Sequence, residues 1–234
     1  MAGSSTKKDQ KNSRKVAHRE QRKKQQQREK NIIIAVVAVL ALIIAAALII
    51  PNLPGNSENV QKAEALIRNQ VDGAYAGDPN APVKVVEFSD FNCSHCYEFF
   101  STQEPELVND YINTGKVYFQ YVPMSFISAS STTAAEATYC AMDQGKFWEY
   151  HDTLFANYGT EFTNSILSAI AAEVGLDQTE FDDCYTGNKY TVQVQNDNAF
   201  AQEQGVTGTP TFSVNGQLTD RTSLLSVIDS ELAK

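Results

Sequence analysis

The chain has 234 residues, enough for one domain of moderate size with accessory segments, and a formal net charge of −9. The charge is divided unevenly. Residues 1–30 carry 11 Lys and Arg and 3 Asp and Glu (net +8), and residues 31–234 carry the other 8 and 25 (net −17). An acidic folded part argues against a nucleic-acid surface, because the phosphate backbone is bound by basic residues. We therefore expect no nucleic-acid partner.

The first fifty residues carry a membrane signal. Residues 1–31 are polar and basic, and residues 32–50 form a run of 19 apolar residues without charge. As a helix this run is about 28 Å long, close to the roughly 30 Å of a hydrocarbon core. Because basic residues favour the cytoplasmic side, we expect a cytoplasmic tail at 1–31, a single transmembrane anchor in the lipid bilayer at 32–50, and an extracytoplasmic domain. A cleaved signal peptide is the alternative, since Ala45-Ala46-Ala47 resembles a cleavage site.

The chain then alternates between strand and helix patterns. Residues 51–72 begin with Pro, Asn, Gly and Ser and are expected to be a linker, with a short helix over Ser57–Asn69. An apolar run at Val83–Phe88, a helical pattern at Cys93–Asn109 and an aromatic, β-branched run at Lys116–Val122 follow. Strand, helix and strand in this order predict a parallel βαβ unit.

Helical patterns dominate the next part of the chain. Residues 128–190 contain no convincing strand, which predicts a helical insertion between two parts of an α/β domain, residues 73–127 and 191–234. An Asn-Gly pair at 215–216 predicts a hairpin. The remaining predicted elements are helices over Thr132–Gln144, Lys146–Asn157, Asn164–Val174, Gln178–Tyr185 and Tyr190–Gln204, the hairpin strands Thr211–Val214 and Gln217–Asp220, and a last helix over Thr222–Leu232.

Cys93 and Cys96 lie two residues apart where a helix is predicted to begin. A thiol at a helix start faces unpaired backbone N–H groups and the positive end of the helix dipole, and both favour the reactive thiolate. A disulfide across this spacing stabilises a fold little, because its loop is short, so the pair indicates redox chemistry. Half of a zinc site is the alternative, but it would need a second close Cys or His pair, which the sequence lacks. We expect no metal and no organic cofactor.

Cys140 and Cys184 are the other two cysteines. An even count of four outside the cytoplasm favours a structural disulfide between them, and two buried free thiols are the alternative. His151 lies in an aromatic stripe at helical spacing, which is typical of a core. We expect His151 to be a hydrogen-bonded residue at the rim of that core and not a catalyst.

Two stretches together carry a family resemblance. Cys93-Ser94-His95-Cys96 follows a Glu-Phe strand, and Gly-Val-Thr-Gly-Thr-Pro-Thr-Phe lies near the C-terminus. Over about residues 70–234 the chain resembles the thioredoxin-fold thiol oxidases of the DsbA type. The resemblance implies an α/β thioredoxin fold with an inserted helical subdomain. It also implies that Pro210 is cis and lies, with Thr209 before it, against the cysteine pair. From the residues alone, Pro210 could be a trans proline at a strand start.

The same resemblance assigns two further site residues. His95 matches the His of strongly oxidising members, in which an imidazole near the Cys93 sulfur stabilises the thiolate. A solvent-facing turn residue is the alternative for His95. Glu87, six residues before Cys93, matches a semi-buried acid that could relay the proton of Cys96, and a rim carboxylate is the alternative. Asp90 is a weaker candidate for that relay.

These observations predict a membrane-anchored, extracytoplasmic oxidase that introduces disulfide bonds into unfolded exported proteins. Substrate thiolates would attack Cys93, and Cys96 would be the resolving thiol. The resemblance implies reoxidation by a membrane-embedded, quinone-linked thiol oxidase. A disulfide reductase or isomerase is one alternative, and a non-catalytic thioredoxin-like binding module with purely structural cysteines is another.

Overall fold

The structure, a computed structural model, describes residues 30, 31, 36, 37, 39, 40, 59–64 and 66–234. The chain divides into two compact units, Met1–Asn56 and Ser57–Lys234. Among the described residues, no helix is both long enough and apolar enough to cross a membrane. Nearly all of the predicted tail (1–31) and anchor (32–50) lies outside the described residues, so both stay predictions.

The second unit is built on one five-stranded mixed sheet. Its order is β1-β3-β2-β4-β5, with β2 and β3 parallel and the other neighbours antiparallel. The central strand β2 is mostly buried along its length, and only Lys84, near its start, is exposed. The strands are β1 (Tyr75–Ala76), β2 (Val83–Ser89), β3 (Val117–Pro123), β4 (Thr211–Val214) and β5 (Gln217–Thr219).

Helices cover the sheet and form the inserted block. They confirm the predicted thioredoxin fold with a helical insertion between β3 and β4. Side-chain caps begin three helices of the insertion, from Ser128, Thr163 and Asp177. The helices are α1 (Ser94–Thr102), α2 (Glu104–Glu106, continued by a wide π turn over Leu107–Ile112), α3 (Ala129–Asp143), α4 (Phe147–Ala156), α5 (Asn164–Glu173), α6 (Gln178–Thr186), α7 (Thr191–Glu203) and α8 (Leu224–Leu232).

The prediction of one helix over Cys93–Asn109 is wrong. The helix α1 ends at Thr102, and α2 begins at Glu104 with Pro105 in its first turn. Proline has no backbone N–H and disfavours the helical conformation of the residue before it, so it fits a helix start and interrupts a continuous helix. The sequence signal for this break is Pro105 itself.

The predicted short helix over Ser57–Asn69 is also wrong for the residues that the structure describes, 59–64 and 66–69. A helix there would have buried Ile67, but its side chain is exposed and that of the next residue, Arg68, is buried. The Arg68 guanidinium donates to Glu104 at 2.6 Å and to both carboxylate oxygens of Asp152 at 2.9 Å. This part of the predicted linker is therefore fixed to the domain by a buried cation.

One strand was not predicted. The strand β1 has two residues and pairs with β3 through Tyr75 opposite Gln120 and Ala76 opposite Phe119. Two residues are too few for an alternating pattern to be visible in the sequence. The strand follows directly after the Arg68 segment and covers the outer edge of β3.

The inserted helices carry a disulfide. The Cys140 and Cys184 side chains are bonded, with Cα atoms 5.8 Å apart, and join α3 to α6 across 44 positions of sequence. A loop of this length lowers the entropy of the unfolded chain substantially.

Replacing both cysteines (Cys140→Ala with Cys184→Ala) should lower the free energy of unfolding by about 4 kcal/mol, because the loop constraint on the unfolded chain is lost. Denaturant unfolding under non-reducing conditions measures this. The comparison should be made in a C93A/C96A background, so that no other disulfide changes. A loss below about 1 kcal/mol would contradict a stabilising role.

Candidate active site

The predicted redox pair lies where β2 passes into α1. Cys93 is the residue before the first helical residue, in extended conformation, and its side chain caps no backbone group. Its backbone N–H donates to the Asp90 carbonyl at 2.9 Å, and its own carbonyl accepts from Tyr97 at 3.0 Å. The Cys93 sulfur therefore lies at the open end of the helix, where the backbone N–H groups have no partner within the helix.

A second segment, remote in sequence, completes the site. The Thr209–Pro210 peptide bond is cis, and the Thr209 carbonyl oxygen lies 3.2 Å from the Cys93 sulfur. The β2–β4 pairing positions this loop, since β4 begins at Thr211 directly after Pro210. Cys93 is 7% exposed and Cys96 is fully buried, so only one of the two sulfurs can meet a substrate.

The two thiols have opposite acidities. Hydrogen bonds from the Cys96 thiol, from the Thr209 hydroxyl and from the backbone N–H groups at the helix start lower the pKa of Cys93 to about 5, although burial opposes them. Burial, together with the neighbouring Cys93 thiolate, raises the pKa of Cys96. At neutral pH the reduced site is therefore a Cys93 thiolate beside a Cys96 thiol.

His95 lies on the solvent side of α1. Its ring Nδ1 is 3.5 Å from Glu98 Oε2, and the same oxygen accepts from Arg221 at 2.7 Å. The backbone N–H of His95 is one of the groups that lower the pKa of Cys93. The predicted role of the imidazole stays a prediction.

Glu87 is buried in the sheet and does not lie at its rim. Its side chain faces the same layer as Cys96, and burial, together with the negative charge of Glu104, raises its pKa well above the usual value. The charge of Arg68 and the Ser89 hydroxyl oppose this increase in part. A buried carboxyl with a raised pKa keeps its proton to higher pH than a free one and so has the chemistry of a proton donor.

Asp90 acts as a clamp, which here means that its carboxylate joins the loop that carries Cys93 to the loop after β3. Its carboxylate accepts from the backbone N–H groups of Asn92, Phe126 and Ile127 at 2.9–3.1 Å. Its own backbone N–H lies 3.5 Å from the Cys96 sulfur. With its oxygens engaged by three donors, Asp90 fixes the loop after β3 to the loop that carries Cys93.

The comparisons with known proteins agree with this geometry. Residues 69–229 match the family described as Thioredoxin. The probable disulfide bond formation protein D of Bacillus anthracis is 34% identical over 169 residues, covering 68% of this chain and 77% of that protein. The crystal structure of oxidised BdbD from Bacillus subtilis superimposes with a TM-score of 0.65 at 26% identity, covering 74% of this chain and all of that one. This chain belongs to the thioredoxin family, in its DsbA-type branch. It is a protein disulfide oxidoreductase.

A further relative is much longer. The Na(+)/H(+) antiporter NhaA 1 of Salinispora arenicola is 37% identical over 144 residues, which are 60% of this chain and only 21% of that protein. The likeness covers a part of the antiporter whose length corresponds to a single domain. It assigns no ion transport to this DsbA-type chain.

Behind the cysteine pair lies a buried ion cluster, formed by Arg68, Glu104, Asp152 and His151. The His151 ring is 2.8 Å from Asp152 through Nδ1 and is completely buried, so the predicted position at the rim is wrong and the predicted hydrogen bond is right. Glu104, His151 and Asp152 are the one described trio whose ligand atoms could surround a metal ion. The Arg68 guanidinium already lies against both carboxylates of that trio.

Sequence reasoning missed this ion cluster and the clamp role of Asp90. Glu104 precedes a proline and Asp152 follows a histidine in an aromatic helix, but neither pattern indicates burial with an arginine. The sequence signal for an ion cluster was the charge imbalance of the domain, in which acidic residues far outnumber basic ones.

The pKa of Cys93 in the reduced protein should be about 5, because hydrogen-bond donors stabilise its thiolate. The rate of alkylation by iodoacetamide against pH, with mass detection at Cys93, measures it. Cys96→Ala removes the strongest donor and should raise this midpoint by about 1–2 pH units, whereas C96S keeps a hydroxyl donor and should change it less. A midpoint near 8.5, the usual value for a free thiol, would contradict the assignment.

Proposed function

We propose that this protein is a membrane-anchored, extracytoplasmic thiol oxidase that introduces disulfide bonds into unfolded exported proteins. The observation that carries the proposal is the unequal pair of thiols. A thiolate that is stable at neutral pH is a good leaving group, and its stability favours the reduced form of the enzyme. A disulfide whose reduced form is stabilised is a strong oxidant.

The exchange follows from the accessibility of the two sulfurs. A substrate thiolate attacks the Cys93 sulfur of the enzyme disulfide, and the bond to Cys96 breaks. A second substrate thiolate then attacks the substrate sulfur of the mixed disulfide, forms the substrate disulfide and releases Cys93 as a thiolate. Two electrons pass from the substrate dithiol to the enzyme disulfide.

The loop at Thr209 and Pro210 would hold the substrate. It lies beside Cys93, and both residues are partly exposed. An extended peptide could pair with this backbone in the manner of an added strand, which requires no particular substrate sequence. Low sequence selectivity suits an enzyme that acts on many unfolded proteins.

The proposed location and the proposed reoxidant both follow from the predicted anchor. An uncleaved anchor at residues 32–50 would hold the domain near the bilayer, outside the cytoplasm, where structural disulfides persist. A membrane-embedded, quinone-linked thiol oxidase would then accept the electrons from Cys93 and Cys96. No metal or organic cofactor of this chain takes part in the exchange.

The equilibrium potential of the Cys93–Cys96 pair tests the direction of the reaction. The full-length protein is equilibrated in glutathione buffers and read by the mass shift of alkylated Cys93 and Cys96. We expect a midpoint more oxidising than about −200 mV, because the Cys93 thiolate is stabilised. A midpoint near about −270 mV would instead assign a reductase. If C93S keeps the full activity of the wild-type protein toward its protein partners, Cys93 is not catalytic, and the protein is a binding module.

The same stabilisation predicts a pH dependence of stability. The pKa of Cys93 is lowered on folding, so thiolate stabilisation of the reduced protein is complete above the unfolded thiol pKa of about 8.5 and is lost as the pH falls through about 5. The free energy of unfolding of the reduced protein, relative to that of the oxidised protein, should therefore decrease as the pH falls from about 8.5 to about 5. Denaturant midpoints of both forms measure it. A difference that is independent of pH would contradict the prediction.

A further inference from the structure

Ser89 lies on the same face of β2 as Glu87. This face is turned toward Cys96, the resolving thiol. Side chains alternate along a strand, so Glu87 and Ser89, two residues apart on β2, point to the same side. That side is the one covered by α1, and Ser89, Glu87 and Cys96 are all at most 1% exposed. The three side chains therefore share one buried region, closed to solvent.

The Ser89 hydroxyl acts on both of the other groups. The backbone N–H of the next residue, Asp90, is 3.5 Å from the Cys96 sulfur, which places that sulfur against the end of β2. The hydroxyl is close enough to lower the pKa of both Cys96 and Glu87. Within the described part of the chain, Ser89 Oγ and Glu87 Oε2 nevertheless have no hydrogen bond of ordinary geometry. Two unsatisfied polar atoms in a core are costly, and here both belong to the face of β2 that α1 covers.

The groups around Glu87 determine its charge. On its own strand it faces Ser89, from α2 it faces the carboxylate of Glu104, and from the segment before β1 it faces the guanidinium of Arg68. Tyr121 lies opposite Glu87 in the β2–β3 register. The Arg68 guanidinium forms ion pairs with Glu104 and Asp152. These two carboxylates largely neutralise its charge, so its attraction for a Glu87 carboxylate is weak.

We propose that Ser89 is a further catalytic residue, whose hydroxyl carries the proton between Glu87 and Cys96, and that Glu104, on α2, is a positioning residue that acts through Glu87. When a substrate thiolate breaks the Cys93–Cys96 bond, the buried Cys96 sulfur leaves as an anion. The Ser89 hydroxyl gives its proton to that sulfur and takes the proton of the Glu87 carboxyl. Glu87 is left as a carboxylate.

The proton returns when the enzyme is reoxidised. As Cys96 attacks the mixed disulfide formed between Cys93 and the reoxidising partner, its thiol proton passes through Ser89 back to Glu87. The electron pair stays with the sulfurs, and the cycle needs no external acid. The inference rests on the proposed exchange reaction at Cys93 and Cys96, but not on its oxidising direction.

Single-turnover cleavage of the Cys93–Cys96 bond by dithiothreitol tests Ser89. Rates are measured against pH in the full-length protein and corrected for the thiolate fraction of the reagent. Ser89→Ala should slow cleavage by on the order of 10²-fold and abolish the decline of the corrected rate at high pH, because the donor path is cut. S89T keeps the hydroxyl and should retain both. Ser213→Ala, the same change on β4 in the same sheet, is the matched control.

The outcomes separate this inference from the proposed function. If S89A is cleaved as fast as S213A and with the wild-type pH profile, Ser89 carries no proton and the inference is overturned. If the wild-type bond is not cleaved by a dithiol at all, the exchange function itself fails. Equal thermal unfolding of S89A and S89T shows that slow cleavage does not reflect a damaged fold.

A double-mutant cycle tests Glu104. Glu104→Gln removes the buried negative charge that raises the pKa of Glu87, so the decline of the cleavage rate should move to lower pH. Glu106→Gln, on the same short helix but exposed, is the control and should leave the profile unchanged. In an E87Q background, E104Q should have no further effect on the profile. A shift that persists there would show that Glu104 acts otherwise than through Glu87.

Discussion

The chemistry of this protein depends on two sulfurs that are one helical turn apart and have opposite environments. Cys93 lies at the end of α1, where backbone N–H groups point outward, and Cys96 lies one turn inside the core. A helix start offers hydrogen-bond donors to an anion, and a core withholds them. The same helix therefore stabilises the thiolate of one cysteine and the thiol of the other, and the disulfide between them is poised to be reduced at Cys93.

The sheet brings the partners of these sulfurs together. The β2 strand carries Glu87 and Ser89, with Asp90 directly after it, to the start of α1, while its pairing with β4 sets the Thr209 carbonyl against Cys93. Asp90 then fixes the loop after β3 to the same point through three backbone donors. Three segments of sequence thus meet at one edge of the sheet, which is the topological reason for the position of the site.

What the sequence predicts well is what depends on neighbouring residues. The Cys93–Cys96 spacing, the strand predicted over Val83–Phe88 and the helices of the insertion are local patterns, and the structure has them within a few residues. The ion cluster is not local, because Arg68 finds Glu104 36 positions away and Asp152 84 positions away. An amphipathic pattern over 57–69 indicated a helix, but burial of the Arg68 charge determines the course of that segment.

The ion cluster is better explained by its field than by its contribution to stability. Removing two or three charges from water costs nearly as much as their attraction returns, so a buried cluster of this kind is weak evidence for stability. Its asymmetry matters more: Arg68 offers one positive charge against the two carboxylates of Glu104 and Asp152. The excess negative charge lies beside Glu87 and opposes its ionisation. A carboxyl whose ionisation is opposed in this way needs a path for its proton to the Cys96 sulfur, and the Ser89 hydroxyl, on the same face of β2, is the group that we propose for that path.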